Sequence, residues 1–203
     1  PAHAQGVPGR VPSSSNAQAI FGAIERNDLP ELTRLVKLGA HVSSRNEDGE
    51  SPLYAAAEKG SLEVLQLLLN AGADTRSRTP NGETALHAAA MQGDPSYARI
   101  LLDAGAEPNA VNLNGETPLS WAAMTGTLQT ARLLVERGAI VESTDERGNS
   151  PLHGAAKAGN ADMVQYLLGR KARAALRNNE GKSARDIAIE REYPDVARLL
   201  EQR

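Results

Sequence analysis

Five glycines recur at a strict spacing of 33 residues: Gly49, Gly82, Gly115, Gly148 and Gly181. A fixed period of this size demands a stack of like supersecondary units, because one such unit cannot bury an apolar face alone. Two further ladders share the register. One runs through Gly39, Gly72, Gly105 and Gly138, each followed by Ala, and the other through Gly60, Gly93, Gly126 and Gly159. One central core is thereby excluded as the organising principle of the chain.

Between the first and third ladders lie four related heptapeptides: Ser51 to Ala57, Thr84 to Ala90, Thr117 to Ala123 and Ser150 to Ala156. Each opens on a hydroxyl residue, whose oxygen can accept from an orphan N–H at a helix start. Pro52, Pro118 and Pro151 follow where a first helical turn needs no donor. Paired alanines allow close helix approach, and the glycine beyond closes a short helix. A second helix is predicted from apolar residues at helical spacing, as in Leu62, Val64, Leu65, Leu68 and Leu69, or Met163, Val164, Leu167 and Leu168. Asp94 and Pro95 supply a cap with a first-turn proline, and Asp28 with Glu31 has capping-box spacing. The second helix ends at Gly-Ala. An extended stretch such as Asp74 to Arg78 leads to the turn dipeptides Asp48-Gly49, Asn81-Gly82 and Asn114-Gly115. The unit is a β-turn finger, a short helix, a longer helix and a loop, and the fold class is all-α.

With these elements the chain resembles the ankyrin repeat family, whose unit has 33 residues and a Thr-Pro-Leu-His signature. Thr84 to Ala90 and Ser150 to Ala156 carry that signature, and Gly72 to Asp74 carry its Gly-Ala-Asp. The resemblance implies an ankyrin repeat solenoid of six units, at 16–45, 46–78, 79–111, 112–144, 145–177 and 178–203. The end units depart from the pattern as caps must, since nothing stacks on their outer faces. In the first, Ser15 and Gln18 predict a helix starting at Ser15. In the last, Arg185 stands where inner units have Leu, and Glu192 replaces the helix-ending glycine.

Aromatics are 3% of the 203 residues, too few for a compact domain of this size but sufficient for Ala- and Leu-lined repeats. The net charge of −3 gives no support to nucleic-acid binding, and no apolar run approaches the ~20 residues of a membrane span. The absence of cysteine excludes disulfides and thiol chemistry and fits an oxidising compartment. Residues 1–15 are rich in Pro, Gly and Ser and are expected to form a flexible leader. Within them Ala2, His3 and Ala4 have the small-x-small pattern of a signal cleavage site. Two readings stand: an exported bacterial protein of the periplasm or the secreted fraction, or an ordinary N-terminus of a cytoplasmic one.

Catalysis has little foothold. His87 and His153 hold equivalent positions two repeats apart, roughly 20 Å at ordinary helix spacing, so they cannot share a metal. The family resemblance implies that each ties neighbouring loops together, with Tyr54, Ser120 and Asp186 bonding differently in the same slot. Glu50, Glu83 and Glu116 form a column at one repeat position, read as a solvated acidic edge or as an acidic docking strip. No nucleophile–base pair or phosphate loop is visible, and no enzyme activity, metal or cofactor is expected.

The resemblance implies that a partner protein meets the concave side, at positions flanking the turn glycine and following the Ala pair. Transferred here, these give three zones. The first is acidic, with Glu47, Asp48, Glu50 and Glu58 beside Lys59. The second is apolar, with Met91, Leu113, Trp121 and Met124 edged by Asn81, Glu83, Gln92, Asn114 and Glu116. The third is basic, with Arg147, Lys157 and Lys182 against Glu146. Trp121 stands where other units have Ala55, Ala88 and Gly154, and is either a filler beneath the face or a binding hot spot. The expected function is rigid-surface recognition by a monomer, with inhibition or chaperoning of a secreted or periplasmic enzyme as its sharper form. A structural spacer and a small-molecule site are the alternatives.

Overall fold

The computed structural model describes residues 13–201. The Ala2–Ala4 cleavage pattern, His3 and most of the expected leader lie outside the described residues. Those described form twelve α-helices in six antiparallel pairs: α1 Ser13–Glu25 with α2 Leu29–Lys37, α3 Pro52–Lys59 with α4 Leu62–Asn70, α5 Ala85–Ala90 with α6 Ser96–Asp103, α7 Pro118–Thr125 with α8 Leu128–Glu136, α9 Pro151–Lys157 with α10 Ala161–Gly169, and α11 Ala184–Glu190 with α12 Pro194–Glu201. No strand is present among them, only an isolated bridge between Arg177 and Ser183.

The heptapeptide chemistry explains the inner helices. The Ser51 hydroxyl accepts from the Tyr54 N–H at 3.2 Å, and Thr117 does the same for Ser120. Leu53, Leu86, Leu119 and Leu152 are buried to 1% or less and stack along the axis with the Ala pairs behind them. Each such leucine contributes about 1.5–3 kcal/mol of burial, and Leu119→Ala is expected to cost about 2–5 kcal/mol. Because alanines line the inner helices, successive ones pack closely, whereas successive outer helices touch more sparsely. That inequality bends the stack, leaving inner helices and fingers on the concave side.

Each finger is locked by its first residue. Oδ1 of Asn46, Asn112, Asp145 and Asn178, and Oγ1 of Thr79, accept the backbone N–H of the residue four positions on, at 2.7–3.2 Å. Neighbouring fingers are then joined by backbone hydrogen bonds from Leu113 N to the Asn81 oxygen (2.8 Å), Glu146 N to Asn114 (2.8 Å) and Asn179 N to Arg147 (2.9 Å). At the first junction Pro80 fills the donor position and has no N–H to give.

Four local expectations are corrected. Helix α1 begins at Ser13, so Ser15 lies inside it; three consecutive serines offer the same capping chemistry, and residue type alone does not select which of them starts the helix. Asp28 does cap Glu31 N (3.0 Å), but the Glu31 carboxylate turns to a bidentate pair with Arg34 rather than back to the cap. Asp94 caps the N–H of Ser96, and Pro95 stands just ahead of α6 instead of inside it. The third glycine ladder is not uniform: Gly126 and Gly159 are left-handed, whereas Gly60 has φ −83°. Three non-glycines adopt left-handed backbone in glycine slots, Asn27 at φ 51° and Glu192 at φ 60° in the register of Gly126 and Gly159, and Lys171 at φ 67° in that of Gly138.

Candidate functional site

The two buried histidines are ties between units. In α5, Nδ1 of His87 accepts from the Thr84 N–H at 3.1 Å, and Nε2 lies 3.1 Å from the carbonyl oxygen of Glu116 in the next finger. That pattern fixes a neutral ring with the proton on Nε2. In α9, His153 repeats it between Ser150 and the Lys182 carbonyl. Burial pushes His87 down to about 4, outweighing its hydrogen bond to Glu116, and lowers His153 as well. Both ring nitrogens of each are occupied, which leaves no ligand atom for a metal. Tyr54 reaches across differently, its hydroxyl meeting the Glu83 carboxylate at 3.3 Å, and burial raises its pKa. Ser120 is too short to cross: its hydroxyl bonds Thr117 within α7.

The column of Glu50, Glu83 and Glu116 is not a freely solvated acidic edge. Each carboxylate is half-buried and turned into its own finger. Glu50 accepts from Asn46 Nδ2 (2.9 Å), Glu83 from the Thr79 hydroxyl (3.0 Å), and Glu116 from Asn112 Nδ2 (2.8 Å). Glu116 Oε2 also accepts the indole N–H of Trp121 at 3.0 Å. Trp121 itself is half-buried, packed edge-to-face on His87. Its ring therefore braces the face from beneath and shows only part of itself to solvent.

Other side chains assigned to the binding edge are likewise committed to the fold. Gln92 donates to the Ala57 and Glu58 carbonyls at the end of α3, filling acceptors a helix terminus leaves open. Lys182 is held between Glu180 (3.1 Å) and Glu190 (2.9 Å), which removes it from the basic zone. Glu58 is exposed but lies 3.4 Å from Lys59.

What remains free is apolar and central. Leu113 at a fingertip is 66% exposed, and Met91 and Met124 at the ends of the inner helices are 51% and 44% exposed. Exposed Asn114 stands beside Leu113, and exposed Arg147 and Lys157 lie on the far side without an ion-pair partner among the described residues. A groove of about 430 Å³ opens between α7, α9, α11 and the last fingers, reached by Met124, Arg147, Lys157 and Gly154.

One column that ties the fingers together has no counterpart among the sequence expectations. Nη1 of Arg45 donates to the Gly49 carbonyl in its own finger and to the Arg78 carbonyl in the next. Arg78 repeats this on Gly82 (2.8 Å) and Val111 (2.5 Å), and Arg177 bonds Gly181 at the last finger. The signal was a 33-residue recurrence of arginine, broken by Val111 and Thr144 in between.

Among the described residues there is no cluster of His, Cys, Asp or Glu suited to a metal, and no helix is long and apolar enough to cross a membrane. Stacked helix pairs with projecting fingers and an exposed apolar strip on the inner side define a repeat solenoid of the recognition type. The family model described as ankyrin repeats (3 copies) matches residues 20–112, 105–176 and 141–203, and the chain belongs to the ankyrin repeat family. Such repeats are in general protein–protein interaction modules. No curated protein matches the chain.

Proposed function

We propose that this chain is a six-repeat binding protein that captures a partner protein on its concave face. The observation that carries the reading is the run of Met91, Leu113 and Met124, large apolar side chains left in water where the fold has no use for them. Three such residues on one face, over the half-buried Trp121, form the apolar centre that interfaces concentrate their affinity in. Glu47, Asp48 and Glu58 on one side and Arg147 and Lys157 on the other orient the partner and speed encounter. Glu50, Glu83 and Glu116 hold the fingers in shape beneath this surface. The chain acts as a monomer, and its target is a secreted or periplasmic enzyme that it inhibits or chaperones.

Affinity capture from source-cell extract tests the face. Wild type is compared with a Leu113→Asp, Met124→Asp variant whose helicity is checked by circular dichroism. A protein held by wild type and lost from the folded variant supports the proposal. A partner held equally by both moves the site off this face, and no partner at all favours a structural spacer. Fractionation of source cells tests the location, since a purely cytosolic pool would refute the periplasmic reading.

A further inference from the structure

One exposed column runs along the inner helices at the repeat period: Glu25, Glu58, Met91, Met124, Lys157 and Glu190. Its two middle members are free apolar residues of the concave face. They stand at the ends of α5 and α7, which pack directly on each other. Packed helices lie about 8–10 Å apart, so the two methionines repeat at that spacing.

Leu113 belongs to the other wall of the groove, the wall of fingers. Its finger leads into α7, the helix of Met124, but its N–H bonds the Asn81 oxygen in the finger that leads into α5. That bond lays the fingertip across the junction between the two methionines.

This arrangement specifies what can lie in it. An α-helix returns to one face every seven residues, about 10.5 Å of rise, and carries another residue on that stripe three or four positions in between. With side chains it is about 10–12 Å across, so one stripe can touch both walls of a corner. An extended strand repeats each face at about 6.7 Å and falls out of step with the column. A polyproline segment returns every third residue, about 9.3 Å, but leaves nothing between on that side to meet Leu113.

The amino-terminal end of the column sets the charge. Beyond Met91 it continues with Glu58, which lies beside Lys59. Glu47 and Asp48, at the finger of the same unit, have no ion-pair partner among the described residues. Carboxylates outnumber cations there: Glu47, Asp48, Glu50 and Glu58 stand against Lys59 and Arg45, and Arg45 is tied to the carbonyls of Gly49 and Arg78.

We propose that the concave strip takes an amphipathic α-helix of the partner protein, laid along the stack with its amino-terminal end toward Glu58. Apolar residues seven positions apart rest on Met91 and Met124, and a third between them meets Leu113. A basic residue seven positions before the Met91 contact lies over Glu58. The acidic end also suits the positive end of the helix dipole. This rests on the concave-face reading and names the element of the partner that the face holds.

The probe is an end-blocked, alanine- and glutamine-rich helical peptide of about 20 residues. It carries one lysine, with leucines seven, ten and fourteen positions after it. It is titrated into the chain labelled at methionine and leucine methyls and followed by NMR. Saturable shifts at the methyls of Met91, Leu113 and Met124 are expected. A control peptide with the last leucine moved two positions on, off the stripe, should bind about tenfold more weakly. The control lies in the peptide, so no variant needs to fold. Glu58→Lys, at an exposed position, should weaken the probe about threefold and reduce its salt dependence. Absent shifts, shifts centred elsewhere, or equal affinity for the control would overturn the helix, and unchanged affinity in Glu58→Lys would overturn its direction and basic residue. A failed probe alongside capture that still depends on Leu113 and Met124 refutes the helix and leaves the concave face standing. A bound probe alongside capture independent of those residues overturns both, since the strip would then accept helices that its partner does not present.

Discussion

His87 and Trp121 meet edge to face, ring centroids 5.3 Å apart and planes inclined by 75°. The contact joins two repeats through rings that each also hold Glu116, one by its carbonyl and one by its carboxylate. A neutral imidazole is built into this joint, and that makes the fold sensitive to acid.

The folded pKa of His87, held at about 4 by burial, lies below the unfolded value of about 6.5. As pH falls the unfolded chain binds the proton first. Stability from this residue is complete above about pH 6.5 and declines down to about pH 4, by up to about 3 kcal/mol. His153 shifts in the same direction and adds to the loss. Urea midpoints measured from neutral to mildly acid pH are expected to fall. A His87→Ser variant should be less stable at neutral pH by about 2–3 kcal/mol and show a shallower pH slope. Equal slopes in the two proteins would rule out His87 as a source.

Lys171 holds left-handed backbone, φ 67°, in a slot where Gly39, Gly72, Gly105 and Gly138 hold the same conformation. An L-residue there costs about 1–2 kcal/mol, part of which glycine gives back through unfolded-state entropy. Lys171→Gly is therefore expected to stabilise by about 0.5–1 kcal/mol and to raise the thermal midpoint by a few degrees. No rise in calorimetry would contradict the strain.

Gly72 and Gly82 have nearly the same φ, 85° and 81°, but different neighbours. A β-carbon on Gly72 would meet nothing within 4 Å, whereas one on Gly82 would lie 3.1 Å from Leu113 N, the amide that joins the fingers. Gly72→Ala should cost about 1 kcal/mol, the conformational term alone. Gly82→Ala should cost about 2 kcal/mol or more, because it also prises two backbones apart. Equal losses in chemical denaturation would show that finger contact contributes nothing at this glycine.

Val111 interrupts the arginine column and is 47% exposed. Val111→Arg places a guanidinium where Arg78 already bridges two carbonyls one repeat earlier. A gain of about 0.5–1 kcal/mol is expected, limited by solvent at the finger base. A destabilised variant would mean that the Thr144 carbonyl is out of reach.

The repeating elements were legible because each has a one-residue cause: a hydroxyl cap at Ser51 or Thr117, a left-handed turn at Gly82, a slim helix at Ala89 and Ala90. His87 and His153 were placed correctly as loop ties by the family resemblance. The candidate surface was legible only in part. Glu50, Glu83 and Glu116 look like surface acids in sequence, and only the folded finger shows them turned toward Asn46, Thr79 and Asn112. Gln92 and Lys182 lie at positions of the binding edge, yet Gln92 is taken up by carbonyls of the preceding repeat and Lys182 by Glu180 and Glu190 of its own, pairings that the repeat pattern does not specify.

Pro80 gives the stack a direction. Beyond it, amides of Leu113, Glu146 and Asn179 stitch the fingers into a continuous seam. Before it, the first and second fingers share no backbone hydrogen bond, and the Arg45 guanidinium on the Arg78 carbonyl joins them. Under a pulling force the finger seam is expected to part first at its amino-terminal side, while the helix pairs there stay joined through Tyr54 on Glu83, Gln92 on the α3 terminus and the packing of α3 on α5. Hydrogen exchange would register this as slow amides at Leu113, Glu146 and Asn179 beside fast ones in the first finger, so that the fingers carrying Leu113 and Arg147 are the ones that let go last.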